Sequence, residues 1–467
     1  MAMSGTTLCG RCEALQEEVA ALKAEKARLE AELAKARKHS GNSSKPPSSD
    51  IVKPPRPKTK NGRKRKQGAQ PGHPRHQRPP FEPGQIDDTI DYTLSGCPHC
   101  GGPVELSDDL PRIVQQVELV AKPIEVIEHR GLAYWCSQCQ KTHYAPIDEA
   151  VRKAGLIGPG LTTLIAYLKG ACHCSFSTIR KFLRDVVGLS ISRGHLAKLI
   201  RKVSDSLQFA YELLLKVLPE QKVVNTDETG HKDRGDALWT WCFRAPLFTL
   251  FKISPSRGAA VLLEVLGAEF DGVLGCDYFS AYRKYMGECN VLVQFCLAHL
   301  IRDIKFLATH PDPRNRAYGN RVLEAARALF ALIHRRETLD PQRFALELED
   351  AGNELWAAAI YRVPSTSEAH NLAQRFEKHG DSYLRFITTP GIEPTNNLAE
   401  QAIRFVVLDR HVTQGSRGDT GQRWLERIWT VIATCTQQGR SVFSFLQDSI
   451  AAFFTESPSP TLVPNSS

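Results

Sequence analysis

The chain has 467 residues, enough for two or three domains, and its 42% hydrophobic and 24% charged content is typical of a globular protein. No apolar run approaches the ~18 residues that a membrane span needs, and residues 1–15 lack the apolar core of a signal peptide, so we expect a cytoplasmic protein. The net charge is +9, but residues 51–80 alone hold ten Lys and Arg and no acid. The 13 cysteines, an odd number, favour metal ligation in a reducing compartment over a disulfide framework.

A heptad pattern opens the chain within residues 1–40. Its two seam positions are occupied by Leu15, Val19, Leu22, Lys26, Leu29 and Leu33. The pattern predicts a short parallel coiled coil that makes the protein a homo-oligomer. Because Lys26 lies in the seam, a solvated amphipathic helix that associates weakly is the alternative.

Residues 41–80 are rich in Ser, Pro, Lys, Gly and Arg and nearly free of large apolar residues, so they cannot bury enough surface to fold alone. We predict a disordered basic linker. Its densest charge is formed by Arg63, Lys64, Arg65 and Lys66. Charge runs are usually only solvated, but a block this dense without acids indicates an arm that binds DNA phosphates without reading sequence.

Two Cys-x-x-Cys pairs follow in residues 81–150, separated by 35 residues. The pairs are Cys97 with Cys100 and Cys136 with Cys139. Four thiolates in two such pairs suit one tetrahedral zinc ion with no open position, so we expect a zinc ribbon whose metal is structural. Stretches 113–120 and 125–135 predict two strands between the pairs.

Residues 151–218 have a helical pattern. The stretch 177–187 is amphipathic and is broken by Gly188, and Ser192 has the position of an N-cap for a helix over 193–207. The second helix carries the basic residues Arg193, Lys198 and Arg201. This pattern predicts a helix-turn-helix-like DNA-binding region, although helical bundles in general share it.

Residues 219–410 mix strand and helix patterns. Strand patterns occur at 222–225, 237–244, 247–253, 272–276 and 291–295, and helical patterns at 258–266, 297–307 and 310–385. Antiparallel strands followed by strand–helix–strand alternation predict a mixed sheet flanked by helices, within a multidomain α+β protein. We expect 310–385 to be a helical insertion and 411–467 to be a separate C-terminal helical region with a tail.

Three acids occupy positions from which one fold can assemble a carboxylate cluster. Asp227 and Asp277 follow short apolar runs, as at strand ends, and Glu400 lies in a helical segment. Such a cluster can hold two hard cations for phosphoryl transfer on nucleic acid. The alternative is that all three are ordinary surface acids among the 51 of this chain.

The chain resembles, nearly end to end, the large transposase of the sixty-sixth insertion-sequence family, the TnpC type. Four segments carry the resemblance: Asn-Ser-Ser-Lys-Pro-Pro-Ser-Ser-Asp at 42–50, the Cys-x-x-Cys pairs, the segments around Asp227 and Asp277, and Asn-Asn-x-x-Glu at 396–400. The resemblance implies a DDE recombinase with a ribonuclease-H-like core that cuts insertion-sequence ends and joins them to target DNA. The family usually works with two small accessory proteins.

The resemblance also implies roles for individual residues. Asp227 would bridge two magnesium or manganese ions, while Asp277 would hold one ion and Glu400 the other. Asn397 lies one helical turn before Glu400, from where it could orient the carboxylate or contact DNA. Arg404 lies one turn after Glu400, from where it could bind a phosphate.

Other readings stay open at this point. His299 lies in a segment that matches the family's Cys-x-Ala-His-x-x-Arg, and it is either a proton shuttle or a core histidine. Glu228 is a rival metal ligand beside Asp227. A non-catalytic DNA-binding regulator and a nuclease without strand transfer are alternative functions. No nucleotide-binding Gly-x-x-x-x-Gly-Lys-Ser/Thr loop occurs, which argues against a nucleoside triphosphatase.

Overall fold

A computed structural model of the chain describes residues 10–39, 41–43, 79–95, 99–103, 105, 113–117 and 123–463. The chain divides into a smaller unit of residues 55–128 and a larger unit formed by the rest. In the smaller unit, Phe81 exchanges two backbone hydrogen bonds with the Gln115 side chain, at 2.6 and 3.0 Å. Within the described residues, no helix is long and apolar enough to cross a membrane.

The first element of the larger unit is helix α1 (Gly10–Ala36). The apolar side chains of the predicted seam are 46–62% exposed, namely Leu15, Val19, Leu22, Leu29 and Leu33. The predicted helix is therefore present, and its apolar stripe is left open to solvent within this single chain.

A two-stranded hairpin of β1 (Ala133–Cys136) and β2 (Lys141–Tyr144) follows. The predicted strands over 113–120 and 125–135 are wrong for the described residues up to Leu132, which have no regular structure. The last three residues of the second predicted strand, 133–135, do belong to β1, which a tight turn joins to β2. Here that turn lies between Cys136 and Lys141, where Gln140 takes a left-handed conformation (φ 51°).

The next five helices are α2 (Glu149–Ala154), α3 (Pro159–Gly170), α4 (Phe176–Phe182), α5 (Arg193–Ser206) and α6 (Gln208–Val217). A π-helical turn extends α4 to Gly188, which ends it in a left-handed conformation (φ 74°). The Ser192 hydroxyl accepts the His195 N–H at 3.1 Å and so begins α5. Both predicted boundaries are confirmed.

A five-stranded mixed sheet forms the centre of the larger unit. Its strands are β3 (Val223–Asp233), β4 (Asp236–Arg244), β5 (Thr249–Ser254), β6 (Val273–Cys276) and β7 (Leu292–Phe295). Their spatial order is β5-β4-β3-β6-β7: the first three pair antiparallel, and β6 pairs parallel with both β3 and β7. Helices α7 (Ala259–Leu266) and α8 (Ser280–Cys289) connect β5, β6 and β7, and α9 (Leu297–Ala308) follows β7. The predicted mixed sheet is confirmed.

The remaining elements are helical. They are α10 (Pro313–Ile333), α11 (Pro341–Ile360), α12 (Ser367–Thr388), α13 (Asn397–Thr413), α14 (Asp419–Gln437) and α15 (Val442–Thr455). The first three fill the stretch predicted as a helical insertion between α9 and the Glu400 helix.

Helix α14 covers the open edge of the sheet at β5, although the sequence analysis predicted that residues 411–467 form a separate C-terminal region. Alternate N–H groups of Thr249, Phe251 and Ile253 donate to side chains of α14 at 2.7–3.2 Å. The acceptors are Thr434, Thr430 and Glu426, spaced four residues apart. Four helical residues rise about 6 Å and two strand residues about 6.6 Å, so the two spacings match. The contact satisfies an edge that would otherwise pair with another chain.

Candidate active site

Asp227 and Asp277 lie at the same level on two neighbouring parallel strands. The parallel pairing of β3 with β6 ends at Asn225 opposite Gly275, and each acid lies two residues further on. Asp277 directly follows β6, as predicted, whereas Asp227 lies inside β3 because that strand continues in its antiparallel pairing with β4. The parallel pairing therefore places the two carboxylates side by side, just beyond the carboxyl end of β6.

Buried Asn396, the residue that precedes α13, fixes the start of the Glu400 helix. Its side-chain amide donates to the Thr226 carbonyl at 2.7 Å and its oxygen accepts the Asn225 amide at 3.1 Å. Its backbone N–H contacts the Cys296 sulfur at 3.2 Å. These contacts tie the first turn of α13 to β3, the strand of Asp227.

Gly275 makes this arrangement possible. A Cβ at this position would lie 2.3 Å from the side-chain nitrogen of Asn225. Any larger residue on β6 would therefore displace the amide that holds Asn396. The β6 sequence thus controls the placement of α13, although the two elements are more than 100 residues apart.

The acids share one electrostatic environment. Burial raises the pKa of Asp227 well above its ordinary value, and the charges of Glu228, Asp277 and Glu400 raise it further. Burial and the charge of Glu228 raise the pKa of Asp277 to about 6, although the Phe279 N–H, 2.8 Å from its Oδ1, opposes the shift. Asp277 and Glu400 therefore both lie within electrostatic reach of Asp227, and this repulsion favours a site for cations.

Glu400 lies in the first turn of α13 beside His299 and Arg302, both on α9. Glu400 Oε1 and His299 Nδ1 are 3.5 Å apart, and both are buried without a hydrogen-bond partner among the described residues. Arg302 Nη2 lies 3.7 Å from Glu400 Oε2. Burial and the charge of Arg302 lower the pKa of His299 to about 4, so its imidazole is neutral at neutral pH. An unpartnered buried carboxylate oxygen fits a metal ligand.

A softer set of potential ligands overlaps this site. The ligand atoms of Cys296, His299 and Glu400 lie within 4.8 Å of one another. Burial raises the pKa of the Cys296 thiol, which therefore keeps its proton at neutral pH. A neutral thiol is a poor ligand for a hard cation, so the carboxylates fit magnesium or manganese better than this set does.

Glu228, the rival ligand of the sequence analysis, is committed to other partners. Its side chain is 2% exposed. Arg257 Nε and Nη2 both donate to Glu228 Oε1, at 2.9 and 2.7 Å, and the Tyr282 hydroxyl donates to Oε2. With both oxygens occupied, Glu228 supports the site and is a poor candidate for metal ligation.

The other predicted site residues have different outcomes. Asn397 is exposed, and the contacts that hold the start of α13 are made by Asn396. Orientation of the Glu400 carboxylate and contact with DNA both stay predictions for Asn397. Arg404 is exposed one turn after Glu400. On α5, the predicted basic residues are exposed while the opposite face is buried; they are Arg193, Lys198 and Arg201. The cluster at 63–66 lies outside the described residues.

The zinc prediction falls partly outside the described residues, because Cys97 is not among them, while Cys100 belongs to the smaller unit. Cys136 and Cys139 lie at the turn between β1 and β2. Hydrogen bonds from the backbone and side chain of Cys139 lower the pKa of the Cys136 thiol. The Cys139 sulfur also lies 3.1 Å from His143 Nε2, a contact that the sequence analysis missed. The four-cysteine zinc site stays a prediction.

Comparison with known proteins identifies the family. The family described as Transposase IS66 family matches residues 154–423, more than half of the chain. The chain belongs to the IS66 transposase family. The match contains Asp227, Asp277, Glu400 and the buried Asn396. A second family, one of unknown function, matches residues 9–79 of the chain.

A relative of the chain is the Uncharacterized protein y4qI of Sinorhizobium fredii (strain NBRC 101917 / NGR234). It is 25% identical over 340 residues, which are 65% of this chain and 62% of the relative. The chain thus spans less than two thirds of that relative's length.

Proposed function

We propose that this IS66 transposase is a DDE enzyme with a ribonuclease-H-like core that cuts insertion-sequence ends and joins them to target DNA. One observation supports this most: Asp227 and Asp277 are in register on parallel strands, and they share an electrostatic environment with Glu400. The sheet order β5-β4-β3-β6-β7, antiparallel and then parallel, agrees with the proposed core.

The carboxylates of Asp227, Asp277 and Glu400 are the groups that would hold two magnesium or manganese ions. When bound, two such ions activate the attacking oxygen and stabilise the leaving oxygen of a phosphodiester. The protein's own part is to hold the three carboxylates together despite their repulsion, through Asn396 and the parallel strands. His299, beside Glu400, is the proposed proton shuttle, and its low pKa means that it would hold a proton from an attacking water or hydroxyl only transiently.

The proposed DNA contacts lie outside the acid cluster. The exposed basic face of α5 would bind duplex DNA at the insertion-sequence ends, and the arm at 63–66 would add sequence-independent phosphate contacts. The open apolar stripe of α1 would pair in a coiled coil and make a homo-oligomer. One structural zinc on the four cysteines, a cytoplasmic location and cooperation with small accessory proteins complete the proposal.

The function is tested with DNA that carries the inverted repeats flanking the coding region. Purified protein, magnesium, labelled end DNA and a target plasmid are incubated, and the products are separated by size. A transposase yields ends joined covalently to the plasmid. Cleaved but unjoined ends would indicate a nuclease without strand transfer. Binding without any cleavage, with manganese and accessory proteins also supplied, would indicate the regulator and refute the proposal.

A further inference from the structure

Arg257 stands out because three neighbouring groups hold it in place. Its guanidinium carbon lies 4.4 Å from the centre of the Trp239 ring and 4.0 Å from the centre of the Phe279 ring. Glu228 accepts hydrogen bonds from its Nε and Nη2. Two aromatic faces and one carboxylate leave the planar group little freedom, so little conformational entropy would be lost on binding a ligand.

The fixed guanidinium is also accessible. The Arg257 side chain is 40% exposed, whereas the Glu228 side chain that holds it is 2% exposed. The remaining nitrogen, Nη1, has no hydrogen-bond partner within the described part of the chain. An arginine needed only to neutralise Glu228 would not require an open edge, but an arginine that binds an anion would.

The position of Arg257 relates it to the acids. Phe279, against which it packs, is two residues after Asp277, and the positive charge of Arg257 acts on the Asp277 carboxyl. A DNA strand that approaches Asp227, Asp277 and Glu400 carries negative charge towards negative charge. A cation fixed at the Asp277 side of the cluster offsets this repulsion, as Arg302 does on the Glu400 side.

We propose that Arg257, held by Trp239, Phe279 and Glu228, binds one backbone phosphate of the DNA strand that enters the site beside Asp277. Glu228 is then a positioning residue that orients the guanidinium. The inference rests on the proposed function, because it requires DNA at the acid cluster. It adds a recognition residue that lies about 20 residues before Asp277 and outside the acid motifs.

The test measures whether one protein side chain and one DNA phosphate act together. End DNA is made with a single neutral methylphosphonate at each position around the cleavage point, and affinities are measured in calcium, which supports binding but little chemistry. The proteins are wild type, Glu228→Gln, and Glu228→Gln combined with Arg257→Gln. Glu228→Gln is the matched reference, because removing Arg257 alone would leave a buried, unpaired carboxylate.

We expect one methylphosphonate position to weaken binding by wild type about tenfold to a hundredfold, and binding by Glu228→Gln by less, because the neutral amide orients the guanidinium less firmly. The double variant should bind unmodified DNA more weakly than Glu228→Gln by a similar factor, and the methylphosphonate at that position should not weaken its binding further. The salt dependence of its affinity should be smaller by about one unit of slope. Arg257→Lys, which keeps the charge without the planar fork, should reduce the penalty at that position without abolishing it. Such a graded result would not arise from misfolding.

Two results would overturn the role of Arg257. One is a double variant that binds as tightly as Glu228→Gln. The other is a set of methylphosphonate penalties that is the same in all proteins, including no penalty anywhere. If wild type cleaves end DNA in magnesium while either result is found, only this inference fails. If wild type binds but never cleaves end DNA, the proposed function fails instead.

Discussion

The acid cluster should cost the metal-free protein stability, and Asp277→Asn should recover it. Asparagine keeps the size of the side chain and the oxygen that accepts the Phe279 N–H. The pKa of Asp277 is raised from the ordinary 3.8 to about 6. At 1.36 kcal/mol per pKa unit, the free energy of unfolding should rise by about 3 kcal/mol when the charge is removed at pH 7.5.

The pH dependence has a definite sign. Because the pKa of Asp277 is higher in the folded than in the unfolded state, this carboxyl binds more protons in the folded state between about pH 4 and 6. The contribution of Asp277 to the free energy of unfolding therefore falls as pH rises through this window. The asparagine of the Asp277→Asn variant cannot titrate, so the advantage of the variant should be near zero below pH 4 and largest above pH 7.

The assay is denaturant unfolding in EDTA and in magnesium over this pH range. In EDTA at pH 7.5 the variant should be more stable, whereas added magnesium should stabilise wild type and have little effect on the variant. Asp271→Asn is the control, because that side chain is 97% exposed and precedes the same strand. A variant that is equally or less stable than wild type in EDTA at pH 7.5 would refute the electrostatic reasoning.

Three further predictions concern other parts of the chain. Asn396→Ala should lower the free energy of unfolding by about 2–4 kcal/mol, because the buried Asn225 amide and Thr226 carbonyl lose their hydrogen bonds. Asn397→Ala, the control, should change it by less than about 0.5 kcal/mol. Equal effects in denaturant unfolding would contradict the conclusion that Asn396 fixes the start of α13. Elemental analysis should find about one zinc per chain, and retention of that zinc after Cys97→Ser with Cys136→Ser would exclude the predicted site. Neutralising the basic cluster at 63–66 should weaken binding to all DNA sequences alike and reduce the salt slope by about one unit per lost phosphate contact, whereas a loss confined to end DNA would mean that the arm reads bases.

Several helix boundaries and strands could be predicted from patterns among residues that are close in the sequence. Gly188 and Ser192 marked a helix end and a helix start because conformational freedom and side-chain capping act within a few residues. Asp277 was placed at a strand end because an apolar run and the acid that follows it are adjacent in the chain. Strands β4 and β5 were likewise predicted from the two β-prone runs at 237–244 and 247–253.

Contacts between distant segments could not be predicted in the same way. Asn396 and Asn397 are equally good candidates by helical spacing from Glu400, and only the Asn225 and Thr226 contacts of β3 distinguish them. The partner of Glu228 is Arg257, 29 residues away, which no motif indicates. The contact of α14 with β5 requires two spacings to match across more than 170 residues.

The central claim is that Asp227, Asp277 and Glu400 form one catalytic site for DNA cleavage. The most direct test is single-turnover cleavage of end DNA in magnesium by wild type and Glu400→Gln, with the exposed Glu393→Gln as control. The account predicts a loss of at least about 100-fold for Glu400→Gln, with DNA affinity in calcium unchanged and Glu393→Gln as fast as wild type. Equal cleavage rates for Glu400→Gln and wild type would remove Glu400 from the site and contradict the account.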